Sequence, residues 1–156
     1  VEALALKSSI YDNIAIASIK NIAKLNLFVF KVKEKKLVSK QVRDLQIKCN
    51  DAQQLVNTLS GGNKQKVSLA KWIANDSEIL ILDCPTRGVD IGVKQFIYQL
   101  LYKMKKEGKS IIMISEELPE LIGMSDRIFI MKDGQITKEF KRSKDLTQEE
   151  IVSYMI

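Results

Sequence analysis

The chain has 156 residues, 46% of them hydrophobic, which suits one domain with a core, and a formal net charge of +6. No apolar stretch reaches the roughly 18 residues of a membrane-spanning helix and no secretory signal pattern opens the chain, so cytoplasmic residence is the expectation. Histidine is absent, which excludes Ser-His-Asp chemistry, and Cys49 and Cys84 lie far apart without zinc spacing, so reduced thiols are expected.

Ser9, with Asp12 three residues on, predicts a capped short helix over Ile10-Tyr11-Asp12-Asn13-Ile14-Ala15. Val38, Val42 and Leu45 then recur at helical spacing, with lysines on the outer face. The basic excess is concentrated in Lys31 to Lys40 and Lys103 to Lys109, which reads as solvated helix faces and a helix C-terminal turn rather than a nucleic-acid patch. After a polar stretch from Cys49 to Gln54, Ser60 is placed as the N-cap of a helix whose inner face is Val67, Ala70 and Ala74, widened by Trp72 and Ile73. Glu78 to Leu82 and Ser110 to Ile114 are short continuous apolar runs, expected to be buried parallel strands. Between them Asp90 caps a helix with Val93, Ile97, Leu100, Leu101 and Met104 inside and Gly108 at its left-handed end, making a strand-helix-strand unit with a right-handed crossover. Arg127 to Met131 and Gln135 to Phe140 flank Asp133-Gly134, a primed-turn hairpin signal, and Thr147 with Glu150 predicts a capped final helix.

Two of these segments carry chemistry. Ser60, Gly61 and Gly62 would present a hydroxyl and successive N–H groups to a phosphate, with glycine needed because a Cβ holds the backbone away from the oxygens; an ordinary helix cap is the competing reading. Asp83 ends the strand Ile79-Leu80-Ile81-Leu82 where a carboxylate can hold Mg²⁺ through water, against the plainer role of capping a turn. A phosphate-facing helix and a strand-end Asp together make part of a nucleoside triphosphate site.

On these residues the chain resembles the C-terminal part of an ABC-transporter ATP-binding domain. Leu59-Ser60-Gly61-Gly62-Asn63-Lys64-Gln65 is similar to the ABC signature, Ile79 to Asp83 to the Walker B strand, and Gly88-Val89-Asp90 to the D-loop. Asn63 in place of the commoner Gln, Pro85-Thr86-Arg87-Gly88-Val89-Asp90-Ile91-Gly92, and Ser115-Glu116-Glu117-Leu118-Pro119-Glu120-Leu121 resemble the second ATPase half of monosaccharide and nucleoside importers. The resemblance implies an α/β fold: residues 1–75 as a helical subdomain ending in the signature helix, and residues 76–156 as part of a RecA-like P-loop NTPase core ending in a hairpin and a helix. It also implies ATP and Mg²⁺ as cofactors, with Leu59, Ser60, Gly61, Gly62, Asn63 and Gln65 as the ATP-binding signature and Asp83 holding Mg²⁺ through water. The implied partners are an opposing ATPase half, met across a seam by Gly88, Val89 and Asp90, a membrane permease, and indirectly a solute-binding protein, with the chain peripheral on the inner face of the membrane and no nucleic acid expected. Arg87 either pairs with a carboxylate or is solvated.

Two positions depart from the hydrolysing pattern. Where such domains hold a water-polarising Glu after the Walker B Asp, this chain has Cys84, a mostly neutral thiol read here as a small buried hydrophobe. Where they commonly hold Ser-His, it has Ser115-Glu116, and Glu116 brings negative charge toward a γ-phosphate. No Gly-x-x-x-x-Gly-Lys-Ser/Thr motif occurs, so a piece of a larger protein or a truncated reading frame is expected, with an apolar sheet face left uncovered. The signature is intact and in ABC dimers serves the opposing half's site, so a non-hydrolysing half that lends its signature is the expectation. Two other readings stand beside it: a soluble ABC-type ATPase of DNA repair or chromosome organisation, which normally carries a long heptad coiled coil not found here, and a truncated remnant without function.

Overall fold

In the computed structural model the described residues are 3–18, 23–24, 28–29 and 31–155. The elements are α1 (Ile10–Ile16), β1 (Ala23–Lys24), β2 (Phe28–Val29), α2 (Lys31–Asp44), α3 (Gly61–Ile73), β3 (Ile79–Asp83), α4 (Ile91–Lys106), β4 (Ser110–Ile114), α5 (Leu118–Met124), β5 (Arg127–Lys132), β6 (Gln135–Lys141) and α6 (Gln148–Val152). They form three two-stranded sheets, β1-β2, β3-β4 and β5-β6. At the two ends of the middle pair Ser110 N–H donates to Glu78 C=O and Cys84 N–H donates to Ile114 C=O, so both strands run the same way.

By compactness the chain divides into two units, Val1–Leu80 with Thr86–Ile111, and Ile81–Pro85 with Ile112–Ile156. In the first, α1 begins with the expected capping box: Ser9 Oγ accepts from Asp12 N–H at 3.0 Å and Asp12 Oδ2 accepts from Ser9 N–H at 3.4 Å. The buried Asn13 amide returns three hydrogen bonds to Ala5 and Ser9, tying the preceding segment to the helix. Residues 6–10 in turn hold the stretch leading to α3, through Asn57 N–H to Leu6 C=O, Val56 N–H to Ser8 C=O and Ile10 N–H to Gln54 C=O. Helix α1 packs on α2 and α3, and Ile10, Ile14, Val38, Leu45, Val56, Val67, Ala70 and Ile97 are fully buried or nearly so. Gly108 takes the left-handed conformation beyond α4, as expected at φ 87°.

The second unit is built on the β5-β6 hairpin. Asp133 and Gly134 both have positive φ, 49° and 76°, the conformation of a primed two-residue turn. One side of the hairpin buries Ile128, Ile130 and Phe140 with Ile151 of α6, and Leu118, Leu121 and Ile122 of α5 pack on them. Thr147 caps α6 by accepting from Glu150 N–H at 3.2 Å.

Three expectations are corrected. The two apolar runs were expected to be buried strands, but each strand buries at most one face: Leu80 and Leu82 are buried while Ile79 and Ile81 are 59% and 65% exposed, and Ile112 and Ile114 are each 53% exposed. A continuous apolar run is buried on both sides only where structure covers both, and the described residues cover one. Trp72 does not widen the inner face of α3; it is 45% exposed with the Lys71 ammonium over its ring. Two residues beyond Ala70 is about 200° around a helix, the opposite side from the core. Cys84 is half-buried rather than a core hydrophobe, and it holds φ 44°.

Candidate functional site

The first unit contains the start of α3 and the turn before α4. Leu59 is buried and anchors the turn, and Ser60 at extended φ/ψ caps the helix, its Oγ accepting from Asn63 N–H at 3.4 Å and from Asn63 Nδ2 at 3.0 Å. Asn63 Oδ1 accepts from the Lys48 backbone N–H at 2.9 Å, so one amide links the helix start to the loop that follows α2. The first N–H groups of α3 have no partner within the helix and no acidic side chain stands in its own first turn, but the Asp90 carboxylate lies beside the helix start, 3.6 Å from where a Cβ on Gly62 would be.

The two glycines differ. A Cβ on Gly61 would meet nothing within 4 Å, whereas a Cβ on Gly62 would lie 2.7 Å from Val93 Cγ2 and 3.6 Å from Asp90 Oδ2. Only Gly61 leaves open space at the helix start. The expected reason for glycine at 62, approach to a phosphate, is joined by a packing reason inside the protein.

That packing brings the signature-like helix start against the turn Gly88-Val89-Asp90. Gly88 has φ 70°, a left-handed conformation that disfavours any side chain. Asp90 caps α4, its Oδ1 accepting from Val93 N–H at 2.9 Å, and remains exposed, while Val89 is half-buried. Below this contact lies Lys66, nearly buried, its ammonium 4.2 Å from the Phe96 ring centre and 3.2 Å from the Gln46 carbonyl it donates to. Burial pushes its pKa below the ordinary lysine value; Lys48 adds to that and Asp90 opposes it. Gln65 is half-buried on the same helix.

The second unit contains the other expected residues. Asp83 ends β3 with its side chain exposed, and Cys84 follows in its left-handed turn. At the end of β4, Ser115 Oγ donates to the Glu120 carboxylate and accepts from Glu117 N–H at 3.1 Å, and Glu116 is exposed. Among the described residues no group of three or more metal-ligating side chains exists, so Asp83 fits a Mg²⁺ ion only as one oxygen ligand beside waters and phosphate oxygens, the usual manner for that ion.

Sequence reasoning missed three parts. Helix α5 is not among the elements expected from the sequence, although Pro119 at its first turn is a helix-start signal. Glu120, buried on α5 and held by Ser115, has no sequence signal of its own. Lys66 reads as one more solvent-facing lysine until the Phe96 ring beneath it is seen.

Comparison with known proteins identifies the family and the fold. The sequence model of the family described as ABC transporter matches residues 3–87, more than half of the chain. The chain is 46% identical over 151 residues to the ribose import ATP-binding protein RbsA of Lactococcus lactis subsp. cremoris, covering 97% of this chain and 30% of that protein. It is 41% identical over 152 residues to the xylose import ATP-binding protein XylG of Geobacillus kaustophilus, covering 96% of this chain and 29% of that protein. A solved dimer of an ATP-binding cassette, in a post-hydrolysis state bound to ADP and Pi, superposes with TM-score 0.78 at 24% identity, covering 90% of this chain and 59% of that one. The chain thus spans less than a third of the length of the curated relatives it matches, and the fold is part of an ATP-binding cassette of the P-loop NTPase type.

Proposed function

The chain belongs to the ABC transporter family of ATP-binding domains, and from that premise we propose that it is an energy-coupling part of a sugar importer whose signature turn serves the ATP site of an opposing ATPase half. The observation that carries this reading is the pairing of an intact, outward-facing helix start, Ser60 with open space at Gly61, with a degenerate strand-end pair, Asp83-Cys84. The relatives named above, ribose and xylose import proteins, support sugar as the solute class.

In this reading Ser60 and the free N–H groups of α3 face the γ-phosphate of a nucleotide held mainly by the other half, and the positive end of the helix favours the charge there. Leu59, Gly62, Asn63 and Gln65 set the position of that turn. Gly88, Val89 and Asp90 lie at the seam between the halves, with Asp90 fixing the start of α4. Asp83 supplies one carboxylate toward a nucleotide-bound Mg²⁺, whose charge would offset that of the phosphates. Cys84 does not accept a proton from water, and Glu116 places negative charge where a donor is needed, so this half's own site does not hydrolyse. A membrane permease and, through it, a solute-binding protein complete the importer. Among the described residues no helix is long and apolar enough to cross a membrane, in keeping with a chain that sits on the cytoplasmic face of such a permease.

Uptake of radiolabelled ribose or xylose into proteoliposomes tests the division of labour. Gly61→Asp puts a carboxylate into open space where a phosphate must come, and it abolishes uptake; Cys84→Ala leaves uptake near the unsubstituted level. Normal uptake with Gly61→Asp, or equal loss with Cys84→Ala, would overturn the proposal.

A further inference from the structure

We infer that Asn63 sets the direction in which the Ser60 hydroxyl donates, and so decides that the start of α3 offers an O–H donor to a phosphate. The argument is one of donor and acceptor capacity. The backbone N–H of Lys48 can only donate, so the atom of the Asn63 amide 2.9 Å from it is the oxygen. The amide nitrogen, which has no lone pair to offer, therefore faces Ser60 Oγ at 3.0 Å. The Asn63 backbone N–H reaches the same oxygen at 3.4 Å.

A serine hydroxyl has two lone pairs and one proton. With both lone pairs engaged by Asn63, only the proton is left, and Asn63 offers it no acceptor. Ser60 is exposed, so its O–H turns outward, beside the first N–H groups of α3 and the open space at Gly61. All the donors at this helix start then have one sense. Asn63 is a positioning residue that acts through Ser60, and the loop after α2 holds it in place through Lys48. This inference rests on the reading of Ser60 as a phosphate donor for the opposing site.

The test is ATP turnover by the assembled importer with Ser60→Ala, Asn63→Ala, Asn63→Asp and the double variant Ser60→Ala/Asn63→Ala. Asn63→Asp keeps the shape and still accepts from Lys48, but its second oxygen takes the Ser60 proton and turns the hydroxyl inward. Ser60→Ala is expected to lower kcat about 100-fold or more, the scale of losing one donor to a developing oxyanion. Asn63→Asp falls at least as far, and Asn63→Ala falls less because the backbone N–H still engages Ser60 Oγ. The double variant is no slower than Ser60→Ala alone, because the second substitution has nothing left to steer. The KM for ATP stays within about twofold, since most nucleotide affinity comes from the phosphate-cradling loop and its lysine on the other half. A wild-type rate for Asn63→Asp, or losses that multiply in the double variant, would overturn the inference and mark Asn63 as merely structural. A wild-type rate for Ser60→Ala would instead remove the underlying reading of the signature turn. Should Asn63→Asp fail to assemble, the Asn63→Ala cycle decides alone.

Discussion

Gly62 and Val93 touch so closely that a Cβ on Gly62 would lie 2.7 Å from Val93 Cγ2. The contact joins the starts of α3 and α4, and with them the two motif turns that face an opposing half in the proposed function. It also separates two glycines that are equivalent in the motif.

Gly62→Ala forces Val93 or the helix to shift and is expected to cost about 1–3 kcal/mol of stability, the usual range for overpacking. Gly61→Ala meets no atom at a φ that alanine adopts freely, and leaves stability unchanged or raises it by up to about 1 kcal/mol. Urea melts of the two variants check this. In the assembled importer Gly61→Ala still lowers ATP turnover, because its methyl enters the space a phosphate needs. Equal melting of both variants would show that the Gly62–Val93 contact yields without cost.

Restoring Glu at position 84 is not expected to restore hydrolysis at the adjacent site. Glu116 still carries negative charge at the end of β4 and the chain has no histidine, so single-turnover hydrolysis there gains less than about tenfold, or 1.4 kcal/mol of barrier. Cys84 also holds φ 44°, where a Cβ costs about 1–2 kcal/mol. Cys84→Gly is therefore as stable as the parent or more so, and the β-branched Cys84→Val loses about 1 kcal/mol or more. A large gain in rate with Cys84→Glu would show that the thiol alone was limiting.

Lys66 makes stability depend on alkaline pH with a definite sign. Its folded-state pKa lies below the ordinary 10.5, mainly through burial, so in the window below 10.5 the unfolded chain binds more protons than the folded one. Stability from this group therefore rises with pH across that window, the penalty of burying the charge being fully present at neutral pH. Relative to Lys66→Met, which has no such group, the parent chain gains stability between pH 7 and pH 10. Denaturant midpoints at the two pH values measure the difference, and a parent that loses ground on Lys66→Met as pH rises would contradict the burial argument.

The 156-residue chain itself is expected to bind Mg-ATP no more tightly than millimolar. Affinity in this family comes mainly from a phosphate-cradling loop with its lysine, and no Gly-x-x-x-x-Gly-Lys-Ser/Thr motif occurs in these residues. Isothermal titration giving a micromolar Kd would disprove this.

Much of the local structure is legible in the sequence because it depends on near neighbours. Ser9 with Asp12, Ser60, Asp90 and Thr147 all cap helices as their spacing demands, and Asp133-Gly134 turns the hairpin. Each rests on a hydrogen bond or a backbone conformation within four residues, which residue type alone largely settles. The apolar runs of β3 and β4 were legible as strands, and an uncovered apolar face was expected of their sheet, but which residues face outward was not legible, since burial is a property of what packs on a strand rather than of the strand.

The order of Leu59 to Gln65, the Ile79–Asp83 strand and Ser115-Glu116 determined by itself which family this is, because those motifs are contiguous and their chemistry follows from residue type. Tertiary structure alone decided that Gly62 is required by Val93 while Gly61 faces open space, that Lys66 lies buried against Phe96, and that Asn63 joins Lys48 to Ser60. Those relationships connect residues 3 to 31 positions apart in the chain, and only folding brings their atoms within van der Waals or hydrogen-bond distance, where close packing and the count of lone pairs and protons determine what each group can do.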